Sequence, residues 1–267
     1  MRILCDVHNH TLYSRHAYST IEENVRAAAE VGLELLGSAD HFSRMLFPEV
    51  DGLPDIRDYQ YFMNYTSWPR EWHGVTLLHG CEACIVDLEG HLYGWDINIE
   101  ANNGWGWYGK RNLQSEVFED CDFVIASIHD DAFCEGASLA QTTAMYIGAL
   151  EQERVIALGH VGRAGIPFDF DEVLTAARDM HKMIEINAHS VRDGRHLPIC
   201  RDIAVRCAEL GVTISVASDA HISTRIGRFE TVEAMLDEIG FPEELVACRN
   251  REAFLAAMRA ARPGWEL

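Results

Sequence analysis

Ile3-Leu4-Cys5-Asp6-Val7-His8-Asn9-His10 joins a short apolar run to an H-x-H ending. Val212-Thr213-Ile214-Ser215-Val216-Ala217-Ser218-Asp219-Ala220-His221 repeats that design near the other end of the chain. In an extended strand the side-chain period is two, so His8 and His10 lie on one face. Five further runs rich in Ile, Val and Leu lie between them: Leu33–Ala39, Val75–Gly80, Asp122–Ile128, Arg154–Gly159 and Met183–Asn187. Their length and composition suit strands buried on both faces. They end in Asp40-His41, Glu82, His129, His160 and Glu185-Ile186-Asn187; only the last has no imidazole or carboxylate at its tip, although His189 follows.

Helical patterns separate the runs. Ser19 and Glu22 form an S-x-x-E capping box before Ile21, Val25, Ala28 and Ala29, and Asp169 with Glu172 opens another helix. Further helices are expected over Tyr59–His73, Ser138–Gln152, Ile199–Leu210, Glu230–Ile239 and Arg251–Ala260. Strand and helix in alternation predict a parallel sheet with right-handed crossovers, either open or closed. An open sheet would spread its strand ends along a crevice, whereas a barrel brings all of them to one rim. Imidazole or carboxylate at six of the seven tips therefore favours a barrel, and also divalent metal, since so many clustered histidines would repel one another if protonated. Zinc, manganese and iron suit such nitrogen and carboxylate ligands. His73, His79, His91, His181 and His196 lie away from the tips and are read as structural or surface residues.

The 267 residues carry 42 acidic against 22 basic side chains, a net charge of −20, which argues against long nucleic acids and anionic membranes as partners. Arg2, Asp6, His8, Asn9 and His10 leave no room for a signal-peptide core, and nowhere do 18 apolar residues run together. A cytoplasmic location is expected, with the eight cysteines as thiols. Cys81 and Cys84 form a lone C-x-x-C, read as buried, inert thiols.

Asp6-Val7-His8-Asn9-His10-Thr11 followed by Ser14, His16 and Ala17 resembles the opening motif of PHP-domain (polymerase and histidinol phosphatase) proteins. Ala39-Asp40-His41, Gly80-Cys81-Glu82 and Ser218-Asp219-Ala220-His221 resemble their later motifs. Through His16-Ala17-Tyr18-Ser19-Thr20 the chain is most similar to stand-alone bacterial phosphatases of the YcdX type. The resemblance implies an α/β fold: a single-domain, distorted seven-stranded (β/α)7 barrel, TIM-like, over residues 1–267. It implies three divalent metal ions, with Zn2+ foremost and Mn2+ or Fe2+ as alternatives. The implied ligands are His8, His10, His16, His41, Glu82, His129, His160, Asp219 and His221. Glu82 would bridge two metals, the first held by His8, His10 and Asp219 and the second by His129 and His160. His16, His41 and His221 would hold the third. The chain departs from these relatives at 98–112, where Asn102, Asn103, Trp105, Trp107, Tyr108, Lys110 and Arg111 would form either a lid or an exposed hairpin at an interface.

Such a site suits hydrolysis of a phosphate monoester by metal-activated hydroxide. The expected substrate is a small phosphorylated metabolite, with L-histidinol phosphate the named candidate. Asp40 is expected to orient a ligand histidine, and Arg163 and Arg192, rather than Arg15 or Arg195, to grip phosphate. The alternatives are a phosphodiesterase or exonuclease acting on short nucleotides, an amidohydrolase, and a non-catalytic metal-binding regulatory domain. Close relatives also imply a homo-oligomer.

Overall fold

The computed structural model of the chain describes residues 1–46, 56–100 and 109–267. Seven parallel strands carry it: β1 (Cys5–Asp6), β2 (Leu35–Phe42), β3 (Val75–Cys84), β4 (Phe123–Ser127), β5 (Val155–Leu158), β6 (Met183–Asn187) and β7 (Ile214–Ala217). Each strand pairs with its successor in the chain. This order requires every crossover to turn the same way and return the chain to the strand start, which the intervening helices do.

The first and last strands approach each other and nearly close the sheet into a barrel. Asn9 and Ala220 form a parallel bridge just past their ends. The His10 amide donates to Ala220 O at 2.9 Å and the Asp219 amide to His8 O at 2.8 Å. Lower in the seam, Asp6 Oδ1 accepts the Ser218 amide at 3.0 Å. Gly80 on β3 makes room for the Phe123 ring of β4, since a Cβ there would lie 2.3 Å from a ring carbon.

All seven expected strands are present, with shifted ends. β1 is shorter than the apolar run that announces it, whereas β2 and β3 run on to include Asp40, His41 and Glu82. The helix over Ile21–Val31 is capped by Thr20 and Glu23, one residue beyond the expected Ser19 and Glu22. Ser19 Oγ instead accepts the Ser223 amide at 2.9 Å. Asp169 caps Phe170–Asp179 through the Glu172 amide, as expected. No continuous helix covers 59–73. Short turns at Ile56–Tyr59, Gln60–Met63 and Tyr65–Ser67 are followed by extended Trp68, because Pro69 excludes the helical conformation from the residue before it. Glu71–Trp72 then folds back on β3 through His73 and Gly74, both at positive φ as a two-residue hairpin requires.

Asn98–Glu100 pairs antiparallel with Lys110–Asn112, so the described ends of the 98–112 segment form the root of a hairpin. Arg111 is ion-paired with Glu116 at 2.7 Å. Asn102, Asn103, Trp105, Trp107 and Tyr108 lie outside the described residues. At the opposite end of the barrel, Lys182 Nζ donates to the carbonyls of Val155 and Ala261, and Arg262 to those of Cys121 and Asp122. These bonds tie the last helix, Arg251–Ala261, to the sheet. No helix among the described residues is long and apolar enough to cross a membrane.

Candidate metal centre

Glu82 lies at the centre of the site, fully buried on the inner face of β3. Its Oε1 lies 3.3 Å from His8 Nε2, 3.3 Å from His129 Nε2 and 2.7 Å from His160 Nε2. Its Oε2 lies 2.7 Å from His41 Nδ1 and 3.7 Å from His10 Nε2. Asp219 Oδ1 approaches His10 Nε2 to 3.1 Å. On the outer side, His16 Nε2 lies 3.2 Å from His41 Nε2 and 2.9 Å from His221 Nε2. The nine side chains named above therefore meet at the carboxyl rim, and His16 reaches it from the exposed loop after β1. His160 and Asp219 hold their places with φ of 32° and 52°, in the left-handed region that side chains other than glycine occupy at a cost.

The chemistry of this donor set fits divalent cations. Ser14 Oγ donates to Asp40 Oδ1 at 2.6 Å and accepts the His41 amide at 3.1 Å. Its remaining contact, His10 Nδ1 at 3.1 Å, must therefore come from an Nδ1–H, and in the neutral ring that burial favours this leaves the Nε2 lone pair facing the Asp219 carboxylate. Two lone pairs opposed at that distance call for a cation between them. His8 Nε2, His41 Nδ1 and Glu82 Oε2 are buried without hydrogen-bond partners among the described residues, although each lies close to another donor atom of the set. Around His16, one imidazole nitrogen meets two others, more than one proton can satisfy. Tetrahedral zinc would space such nitrogens about 3.3 Å apart.

The local field leads to the same conclusion. Burial alone would protonate Glu82, but His129, His8 and His41 outweigh it and hold the carboxyl well below the usual range. Asp219 is likewise held low against burial by the neighbouring His10, His8 and Arg163. Glu82 overcomes the burial of His129 and pushes that imidazole up to about 11. Burial and neighbouring His41 push His10 well down, and burial lowers His160 and His221. Two carboxyls held low thus sit among imidazoles of which His10, His160 and His221 are pushed toward the neutral form, while Glu185 and Glu82 overcome burial and push His8, like His129, toward the charged one.

Around these nine side chains stand residues that hold them in place. Asp40 is buried and accepts from the Thr11 amide, Thr11 Oγ1, Ser14 Oγ and Tyr61 Oη, so it touches no histidine directly and acts on His10 and His41 through Ser14. Arg163 Nη2 donates to Asp219 Oδ2 at 2.8 Å. It lines a cavity of about 270 Å³ together with His129 and His160. Arg192 is exposed at the end of the short helix Ala188–Arg192, and its charge helps to hold His189 down, burial being the larger cause. His189 Nδ1 lies 3.9 Å from Asp219 Oδ2.

Two contacts were not anticipated. Glu185, the buried acid of β6, accepts from His8 Nδ1 at 2.7 Å and from the His160 amide at 2.8 Å, and so orients two of the nine side chains. An acid within the otherwise apolar Met183–Asn187 run is a signal for such a role, since burial without partners would be costly. Cys84 is buried, as expected, and its Sγ lies 3.0 Å from His129 Nδ1. Cys81, three residues earlier on the strand, falls on the opposite face, so the C-x-x-C cannot clasp one ion.

The PHP domain family model matches residues 6–189. A probable phosphatase from Clostridium novyi is 32% identical over 262 residues, covering 97% of this chain and 96% of its own length. A probable phosphatase from Clostridium botulinum is 37% identical over 261 residues, with the same coverage of both chains. Among solved structures, the histidinol phosphate phosphatase of Lactococcus lactis, crystallised with zinc, L-histidinol and phosphate, superposes with a TM-score of 0.56. At 18% identity it covers 91% of this chain and 95% of its own, a likeness that speaks for the fold. On the family match and relatives aligned over nearly their whole length, the chain belongs to the PHP domain family.

Proposed function

We propose that this chain is a metal-dependent phosphatase that hydrolyses a small phosphate monoester, with histidinol phosphate as the model substrate, at a trinuclear centre. The convergence of five imidazole nitrogens on the two oxygens of Glu82, within 3.7 Å, carries this reading. The probable-phosphatase relatives support it. The zinc, histidinol and phosphate bound by the Lactococcus lactis enzyme suggest both the metal and the size of the substrate.

His8, His10 and Asp219 would hold the first cation and His129 with His160 the second, Glu82 lying between them; His16, His41 and His221 would hold the third. Zn2+ matches the nitrogen-rich set best, with Mn2+ and Fe2+ as alternatives. Bound there, the cations would supply Lewis acidity toward phosphate oxygens and lower the pKa of bound water toward neutrality. The protein holds the geometry. Glu185 and Ser14 commit the Nδ1 protons of His8 and His10 and turn both Nε2 atoms inward. Asp40 anchors Ser14. Arg163 keeps Asp219 ionised and presents its other N–H groups to the small cavity, where a phosphate can be gripped in a fork. Arg192 adds positive charge at the rim.

A panel of phosphomonoesters assayed with zinc, manganese and iron tests the reading. Turnover of p-nitrophenyl phosphate and histidinol phosphate, abolished by a chelator and restored by metal, is the expected result. Hydrolysis of bis(p-nitrophenyl) phosphate without the monoester would overturn it in favour of a diesterase.

A further inference from the structure

An imidazole that turns Nε2 toward Glu82 is oriented by whatever its Nδ1 meets on the far side. His8 Nδ1 meets the Glu185 carboxylate at 2.7 Å and His10 Nδ1 the Ser14 hydroxyl at 3.1 Å, both through oxygen. His129, whose Nε2 lies 3.3 Å from Glu82 Oε1, meets sulfur instead, with Cys84 Sγ 3.0 Å from Nδ1. His160 Nδ1 is buried without a hydrogen-bond partner among the described residues, and only its backbone amide is held, by Glu185. Of the two histidines assigned to the second cation, one is thus backed by a thiol and the ring of the other by no polar group. The strand places the thiol, since Cys84 stands two residues beyond Glu82 on β3 and on the same face. A thiol can donate or accept. If S–H donated to Nδ1, the neutral ring would carry its proton on Nε2, the atom that faces Glu82, and could not offer that atom to a cation. A ring that gives Nε2 to a cation carries its proton on Nδ1, and Cys84 Sγ is the acceptor within reach.

We propose that Cys84 is the positioning residue of His129: its sulfur accepts the Nδ1 proton, keeps Nε2 bare toward Glu82 and so sets the affinity of the second cation. The proposal rests on the trinuclear reading for the cation and on the Cys84–His129 contact for the role. The thiol binds no metal itself. Sulfur is a weaker acceptor than a carboxylate, so this cation is the more weakly braced of the two that share Glu82.

Zinc titration against a chromophoric chelator tests it without turnover. Cys84 and His129 both stand in the wall of a cavity of about 680 Å³, from which water can replace a deleted thiol. Cys84→Val is therefore the informative variant, since it fills the place of the thiol and accepts no hydrogen bond. It should weaken one zinc equivalent by about tenfold or more and leave the others as they are. Cys84→Ser, which restores an acceptor, should recover that equivalent. Cys81→Ala, which removes the thiol on the opposite face of β3, should change none. Imidazole nitrogen NMR, recorded at a zinc concentration that fills the wild type and with His129 assigned by its absence in His129→Gln, gives a second readout. His129 should carry its proton on Nδ1 in the wild type and in Cys84→Ser, whereas Cys84→Val should show a share of His129 without that form. A folded Cys84→Val protein that takes up every zinc with wild-type affinity would overturn the positioning role and leave the trinuclear reading standing. A thiolate-to-metal absorption band in the cobalt-loaded wild type, absent from Cys84→Val, would also overturn it, by making Cys84 a ligand. A wild type that takes up no divalent metal would instead sink the trinuclear reading.

Discussion

Replacing Glu185 by glutamine should weaken one metal equivalent by about 10- to 100-fold, and the structure shows why. The carboxylate accepts from His8 Nδ1 at 2.7 Å on one oxygen, and from the His160 amide at 2.8 Å and Asn187 Nδ2 at 3.0 Å on the other. Glutamine has nearly the same shape but only one oxygen. If that oxygen stays with His160 and Asn187, the new amide N–H faces His8 Nδ1 and drives the imidazole proton to Nε2, the atom that points at Glu82. If the amide flips, its NH2 meets two donors in a buried site. Either arrangement loses about 1–3 kcal/mol, the penalty for an unmet buried group. Loss of a partner that orients a metal ligand lowers affinity by the same order. Zinc titration against a chromophoric chelator, with circular dichroism to confirm folding, reads the effect. A folded Glu185→Gln protein that takes up every zinc with wild-type affinity would refute the orienting role.

Other consequences can be measured separately. Glu82→Gln should lose two metals per chain on dialysis and keep the one assigned to His16, His41 and His221; elemental analysis showing three retained would remove Glu82 from its bridging position. Thr20→Ala should lower stability by about 1 kcal/mol by deleting the capping box of Ile21–Val31, and an unchanged denaturant midpoint would contradict that. Burial lowers Lys182 from 10.5 to about 8, so between those values the unfolded chain binds the extra proton and stability rises with pH. In Lys182→Met that slope should flatten, whatever the absolute stability of the variant; identical slopes in denaturant titrations from pH 8 to 10.5 would contradict this.

Much of the fold could be read from Ile, Val and Leu runs, because a strand buried on both faces has little freedom in composition. The barrel followed from chemistry: His8 and Asp219 have reason to meet only if the first and last strands do. Where local signals competed, the reading slipped. Ser19 and Thr20 each stand three residues before a glutamate, and the choice between them fell to Ser223, which takes Ser19 for its own amide. The Tyr59–His73 pattern looked helical because the buried rings of Phe62 and Tyr65 are closely spaced, yet Pro69 interrupts it. At the site, side chains that end strands were legible, whereas Glu185 was passed over because its importance lies in the histidine it touches. The contact of Cys84 with His129 was hidden for the same reason: the strand period shows that the thiol points inward with Glu82, but only the fold brings His129 against it.

The seam between β1 and β7 also has a consequence for biosynthesis. The candidate ligands begin at His8 and end at His221, and the two ends are joined by the Asn9–Ala220 bridge. A ribosome makes the first histidines long before Asp219, so no growing chain has a finished cage until most of its length is made. Metal arriving early would meet an incomplete and loosely held set of imidazoles. Loading of the proposed centre would therefore be tied to completion of the fold, and a chain truncated before β7 is expected to bind zinc poorly.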